Sequence, residues 1–167
     1  MSTPAPTPIV TPLQTFVDLS ALLTGIAAGN LAPSVDPKNI KQVYFNYAQQ
    51  QAGATFDNLL KIYRENSTQP AGKIASLILD QSGPDIRFLA RSVMLMWYLG
   101  SWYAPADLAK AGTDTPPPNS VVISSAAYTQ GWAWNVAQAH PMGFSNFQFG
   151  YWASNPPTLI DFVGGNS

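Results

Sequence analysis

Gly83 to Tyr103, GPDIRFLARSVMLMWYLGSWY, is the stretch that decides the fold. Gly83-Pro84 opens it, with proline at a helix's first position, where the missing N–H costs nothing. Ile86, Leu89, Ala90, Val93, Trp97 and Gly100 then share one stripe, and Phe88, Leu95, Tyr98 and Trp102 share another. A helix apolar on two faces must be covered on both. The spacing therefore predicts a long central helix over 84–103 with the other elements packed around it. Arg87 and Arg91, one turn apart near its start, read as a solvated or salt-bridged edge rather than an anion site.

Upstream of this helix the same start and stop signals recur. Thr11-Pro12-Leu13-Gln14 is a capping box with proline at the first helical position, followed by Phe16, Leu19, Leu23 and Ile26 at helical spacing. Asp36-Pro37 predicts a second helix over about 37–51, capped by the aspartate, with Ile40, Val43, Tyr44 and Tyr47 on one face. Gly53 ends it, and Thr55 caps a third helix over about 56–65 carrying Phe56, Leu59, Leu60 and Tyr63. Pro70 opens a fourth through Leu79, with Ile74, Leu77 and Ile78 inward. Residues 1–10, MSTPAPTPIV, have no periodicity and read as an extended or disordered leader.

Downstream, residues 104–122 contain Gly112 and Pro116-Pro117-Pro118 and read as a stiff, non-helical linker. Ser124 or Ser125 caps a last helix over about 125–139, which Pro141 ends. The remainder, studded with glycine and proline, reads as an irregular aromatic tail. No internal repeat and no alternating strand stands out. The expected fold is all-α: a single domain of about six helices in which 11–103 form the helical core and 123–167 the last helix and docking tail.

Composition narrows the function. Charged residues make up 10% of the 167, against roughly a quarter in average domains. The eight cations are interleaved with acids, so no basic stripe marks a nucleic-acid partner. Cysteine is absent, which removes thiolate nucleophiles, cysteine-ligated iron–sulfur clusters and c-type haem attachment. No Gly-rich phosphate loop of either common type occurs, so nucleotide or flavin binding through such loops has no support. A metal site would need carboxylates around His140, and the nearest acids in sequence, Asp114 and Asp161, are remote. The apolar run Val93–Ala104 is too short for a bilayer, which takes about 20 residues. Neither a catalytic residue nor a bound cofactor or metal is expected in this chain.

The most unusual feature lies in the C-terminal third. From Thr115 to Ile160 there is no Lys, Arg, Asp or Glu. Such a segment is either packed inside its own protein or covered by another one. It holds Tyr128, Trp132, Trp134, His140, Pro141, Met142, Phe149, Tyr151 and Trp152, and aromatic and Met enrichment with charge depletion is the composition of a buried interface core. Trp97, Tyr98 and Trp102, on the two-faced helix, read first as core, Trp97 and Trp102 at least in part, and together with them these residues form the expected partner interface. His140, directly before Pro141, reads as a helix terminator whose ring bonds a carbonyl or a partner group. A sugar-stacking platform would use the same aromatics, with Asn135, Gln138, Asn146 and Gln148 as the available hydroxyl readers.

The order of three segments resembles the small subunit of bacterial membrane-bound, FAD-dependent D-sorbitol and related sugar dehydrogenases. Phe16–Gly25, FVDLSALLTG, is similar to that family's N-terminal F-x-x-x-S-x-x-L-T-G helix. Met96–Tyr103, MWYLGSWY, is similar to its W-Y-x-G segment, and Ser124–Pro157 to its C-terminal signature through A-H-P-x-G and F-G-x-W-A. The resemblance covers about residues 12–157. It implies a non-catalytic companion that binds, matures and escorts a GMC-type catalytic subunit holding FAD, with a cytochrome c subunit where one is present. It also implies a periplasmic place at the inner membrane, reached through a twin-arginine signal. No Arg stands before Lys38, so either the N-terminus has been trimmed or this member does not export its partner and is cytoplasmic. The alternatives are a small sugar-binding module built on the C-terminal aromatics, or an oxidoreductase in its own right.

Overall fold

Thr11 caps the first helix as its sequence predicts. Its hydroxyl accepts from Gln14 N–H at 3.2 Å, Pro12 takes the first position, and α1 runs Pro12–Thr24 to a left-handed Gly25. The computed structural model describes residues 10–111 and 118–141, so the leader and the tail beyond Pro141, with Met142, Phe149, Tyr151 and Trp152, lie outside the described residues. A short α2 (Ala28–Leu31) follows, then α3 (Ile40–Asn66), α4 (Ala71–Ser76) continuing into a π-helical turn at Leu77–Gln81, and α5 (Pro84–Leu99). After α5 come β1 (Ser101–Tyr103), α6 (Pro105–Leu108), β2 (Ser120–Val122), α7 (Ser125–Thr129) and α8 (Trp132–Val136). The fold is all-α and a single domain, with one small antiparallel pair in which Trp102 stands opposite Val121.

The centre is where the two-striped helix puts it. Ile86, Leu89, Ala90, Val93, Met96 and Trp97 of α5 are buried, and the second stripe, Phe88, Leu95 and Tyr98, is half-buried. Against it pack Phe16, Leu19, Leu23 and Ile26 from the α1 segment and Tyr44, Phe56 and Leu59 from α3. The aromatic rings interlock rather than stack as a pile. Phe16 meets Phe45 and Phe56 edge-on at 5.8 and 5.7 Å and lies near-parallel to Trp97 at 6.0 Å, while Tyr44 meets Trp97 edge-on at 4.8 Å. Gly53 does break α3, with φ 44° and ψ −119°, but the ladder resumes at once, so the expected second and third helices are one kinked helix.

Four boundaries differ from the sequence reading. The central helix stops at Gly100 (φ 64°), and Ser101–Tyr103 turn into β1 instead of a last helical turn. The 104–122 linker is partly structured, because Pro105 nucleates α6 and Ser120–Val122 return to pair with β1. The last helix divides at Gly131 into α7 and α8. Finally α3 begins at Ile40 behind a left-handed Asn39 (φ 48°), so Asp36 is not its cap. Asp36 instead accepts from Asn39 N–H through its main-chain carbonyl at 3.1 Å.

The two arginines of α5 sit as edge residues. Arg87 donates to the Asp80 carbonyl at 2.9 Å, closing the C-terminal end of the π-helical turn, where a cation meets unsatisfied carbonyls. Arg91 lies over the Phe88 ring at 5.2 Å. Among the described residues, no helix is long and apolar enough to cross a membrane.

Burial of Tyr44 has a consequence in alkali. Its hydroxyl donates to the Ala127 carbonyl at 3.4 Å inside the core, and desolvation pushes its phenol well above the ordinary value of 10.0. The unfolded chain therefore gives up this proton first as pH rises, and the folded state holds it. Stability is complete below pH 10.0 and falls above it, by up to about 1.4 kcal/mol per pH unit. Urea midpoints measured across that range should fall for the wild type and fall less for Tyr44→Phe. A residual slope is expected from Tyr63, raised in the same direction by burial and by the nearby Asp18 charge.

Candidate functional site

The C-terminal layer meets the end of α5 by close backbone approach, and Ile123, Ala126, Ala127 and Trp132 pack on the core beside it. A Cβ at Gly100 would collide with the Ala127 carbonyl, and one at Gly131 would come within 2.8 Å of the Tyr98 carbonyl oxygen. Two glycines thus let α7 and the start of α8 lie directly on the end of α5. Ile123 N–H donates to the Gly100 carbonyl at 3.1 Å, and Ser124 caps α7 by accepting from Ala127 N–H at 3.0 Å. On the N-terminal side, Lys38 Nζ reaches Thr129 Oγ1 at 3.5 Å.

The expected interface residues separate into three groups. Trp97 and Trp102, 2% and 5% exposed, are core side chains and are withdrawn from any partner-facing role. Tyr98 is half-buried and spends its hydroxyl on the Thr24 carbonyl at 2.8 Å, tying α5 to the end of α1. The physical reason is that this chain itself buries Trp97 and Trp102, whereas Phe88, Leu95 and Tyr98 of the second stripe stay half-buried.

The second group, from α7 and α8, is closer to the surface. Tyr128 and Trp134 are half-buried and meet edge-on at 5.4 Å, and Trp134 Nε1–H donates to the Tyr128 carbonyl at 2.8 Å. Trp132 is half-buried against the core. His140 is exposed, with Nδ1 3.3 Å from the Pro141 carbonyl oxygen, and Pro141 is buried. The ring thus meets a carbonyl, one of the two partners expected for it. Met142, Phe149, Tyr151 and Trp152 form the third group, beyond the described residues.

Val121 (57% exposed) and Val122 (52%), which the sequence did not single out, present apolar surface on β2, and Val136 (44%), placed by its spacing on the apolar face of the last helix, is exposed on α8. Alternation is illegible in a three-residue strand, so the β2 valines carried no signal. A cavity of about 90 Å³ lies between α2, the loop before α3, α5 and α8, lined by Asn30, Asp36, Trp97, Gln130, Trp132 and Asn135 among others. Asn135 was among the expected hydroxyl readers. Asp36 was not, because its Asp-Pro sequence reads as a helix cap. An open cleft of about 350 Å³ between the α3 kink, the start of α5 and α6 is lined chiefly by apolar groups such as Ala52, Phe88, Leu89 and Pro105.

Comparison with known proteins adds no family assignment: no protein-family profile, curated protein or solved structure matches the chain.

Proposed function

We propose that the chain is a non-catalytic accessory subunit of a flavin-dependent sugar or polyol dehydrogenase. It binds and matures a GMC-type catalytic subunit that carries the FAD, alongside a cytochrome c subunit where one is present. Escort across the inner membrane to the periplasm is part of the same proposal. The carrying observation is the charge-free stretch from Thr115 to Ile160. Of its described part, Ala127 joins the core cluster and Gly131 and Pro141 are buried, while Val121, Val122 and Val136 remain exposed. Uncharged chain that its own protein does not bury is surface for a partner to cover. The resemblance of the three sequence segments supports this kind of partner. Trp132, Trp134, His140, Phe149, Tyr151 and Trp152 are the proposed anchors.

Co-purification of the tagged chain with a flavoprotein tests the pairing. Val122→Lys and Val136→Lys each place a cation on the proposed contact without touching the core. Each should weaken the complex by about tenfold or more while changing unfolding stability by no more than about 0.5 kcal/mol. Unchanged complex yield in both variants would remove this surface from the contact. Stoichiometric flavin absorbance in the purified chain alone would overturn the accessory role.

A further inference from the structure

The open cleft between the kink of α3, the first turn of α5 and α6 has a volume of about 350 Å³, within the range of small-molecule sites. Helix phase decides which face of α5 forms its wall. Phe88 and Leu89 both line the space, and position 85, three and four residues earlier, falls between them in azimuth. The exposed Asp85 side chain therefore leaves α5 on the cleft face, at the rim. Ala52 of α3 and Ala106 and Ala109 on the α6 side face it across an apolar floor.

The charge at this cleft has one sign. Asp85 is the only ionised residue in its lining and has no ion pair among the described residues. The cations on the same elements do not line the space. Arg87 donates to the Asp80 carbonyl, Arg91 lies over the Phe88 ring, and Lys110 stands just past α6. The other polar lining residues, Gln51 and Thr55, each carry an oxygen that can accept a hydrogen bond.

An acid in the first turn of a helix complements the macrodipole, and that role alone requires no ligand. Here the same carboxylate also borders an apolar volume in which the Phe88 ring is only half-buried. An anion entering the cleft would meet the Asp85 charge with no cation in the wall to offset it. A neutral apolar molecule would fill the volume, yet it would strip water from the carboxylate and put nothing in its place. An ammonium group on an apolar body answers both features, since it carries three donors, no acceptor and the opposite charge.

We propose that this cleft binds a small apolar ammonium ion, its hydrocarbon body on Phe88 and Leu89 and its head at Asp85. Because Asp85 is exposed, the ion pair contributes selectivity, and burial of the body supplies most of the affinity. The site lies at the opposite end of α5 from the Gly100 contact with α7. It does not depend on the accessory-subunit reading. Failure of co-purification leaves it intact, and failure of amine binding leaves the pairing intact.

Titration of the full chain with hexylammonium, followed by the alanine methyl resonances, tests the site. The Ala106 and Ala109 signals are assigned by their loss in Ala106→Gly and Ala109→Gly. Saturable displacement of both signals is expected. Hexanol, which has the same body without the charge, should bind about fivefold more weakly, and hexanoate more weakly still. Asp85→Asn should lower hexylammonium affinity by about the same fivefold. Its affinity for hexanol should stay unchanged, which separates a lost charge from a lost fold. Displacement linear in amine concentration, equal binding of hexanol or hexanoate, or indifference to Asp85→Asn would each overturn the proposal.

Discussion

Gly100→Ala should destabilise the protein by about 3 kcal/mol or more, and Gly25→Ala by only about 1–2 kcal/mol. Both glycines end a helix in the left-handed region, at φ 64° and 73°, where any Cβ is strained. They differ in their surroundings. Nothing lies within 4 Å of a Cβ at Gly25, whereas one at Gly100 meets the Ala127 carbonyl, its carbon, and the Tyr128 nitrogen. That obstacle is backbone, which cannot rotate away as a side chain can. The difference between the two urea midpoints therefore isolates the contact between α5 and α7. Equal losses would show that α7 moves aside without cost.

Phe16→Ala is expected to cost about 3–5 kcal/mol, the range for removing a fully buried aromatic ring. Phe16 is 0% exposed and touches rings from both halves of α3 and from α5. Its loss opens one cavity bounded by three elements, none of which can collapse alone. Phe16→Leu, which keeps much of the volume, should lose less than half as much. Thermal unfolding of the two variants checks the ordering. A loss below about 1 kcal/mol for alanine would mean that α1 repacks freely on α3.

The core was legible because its signals are local. Thr11-Pro12 set the start of α1, and the residues expected inward, Phe16, Leu19, Leu23 and Ile26, are all buried, with Val17 and the small polar Thr15, Ser20 and Thr24 buried beside them. The two stripes of α5 announced a covered helix. The same stripes suggested that Trp97 and Trp102 could face a partner, yet this chain covers them, and the choice between own core and foreign surface is not written in periodicity. The Gly100 boundary was missed because the apolar spacing continues through it, and only the close approach of Ala127 shows why the helix must end there. Gly131 was missed for the same reason, its requirement being set by the Tyr98 carbonyl. Asp36 was read as a cap by a sound local rule. The left-handed Asn39 displaces the helix start and leaves that carboxylate beside α8.

The fastening of α7 also bears on the order in which the chain opens. The Tyr44–Ala127 bond closes a span of 83 residues, much as Phe16 against Trp97 does in the core, so loop length alone does not rank the two. What separates them is burial: α7 and α8 are five-residue helices whose side chains are mostly half-buried or exposed, and a layer with few buried apolar contacts is expected to open first. Val122 and Val136 sit on or beside that layer. A partner of the kind proposed, if it covers them, would add its binding free energy to the stability of this layer rather than to the core.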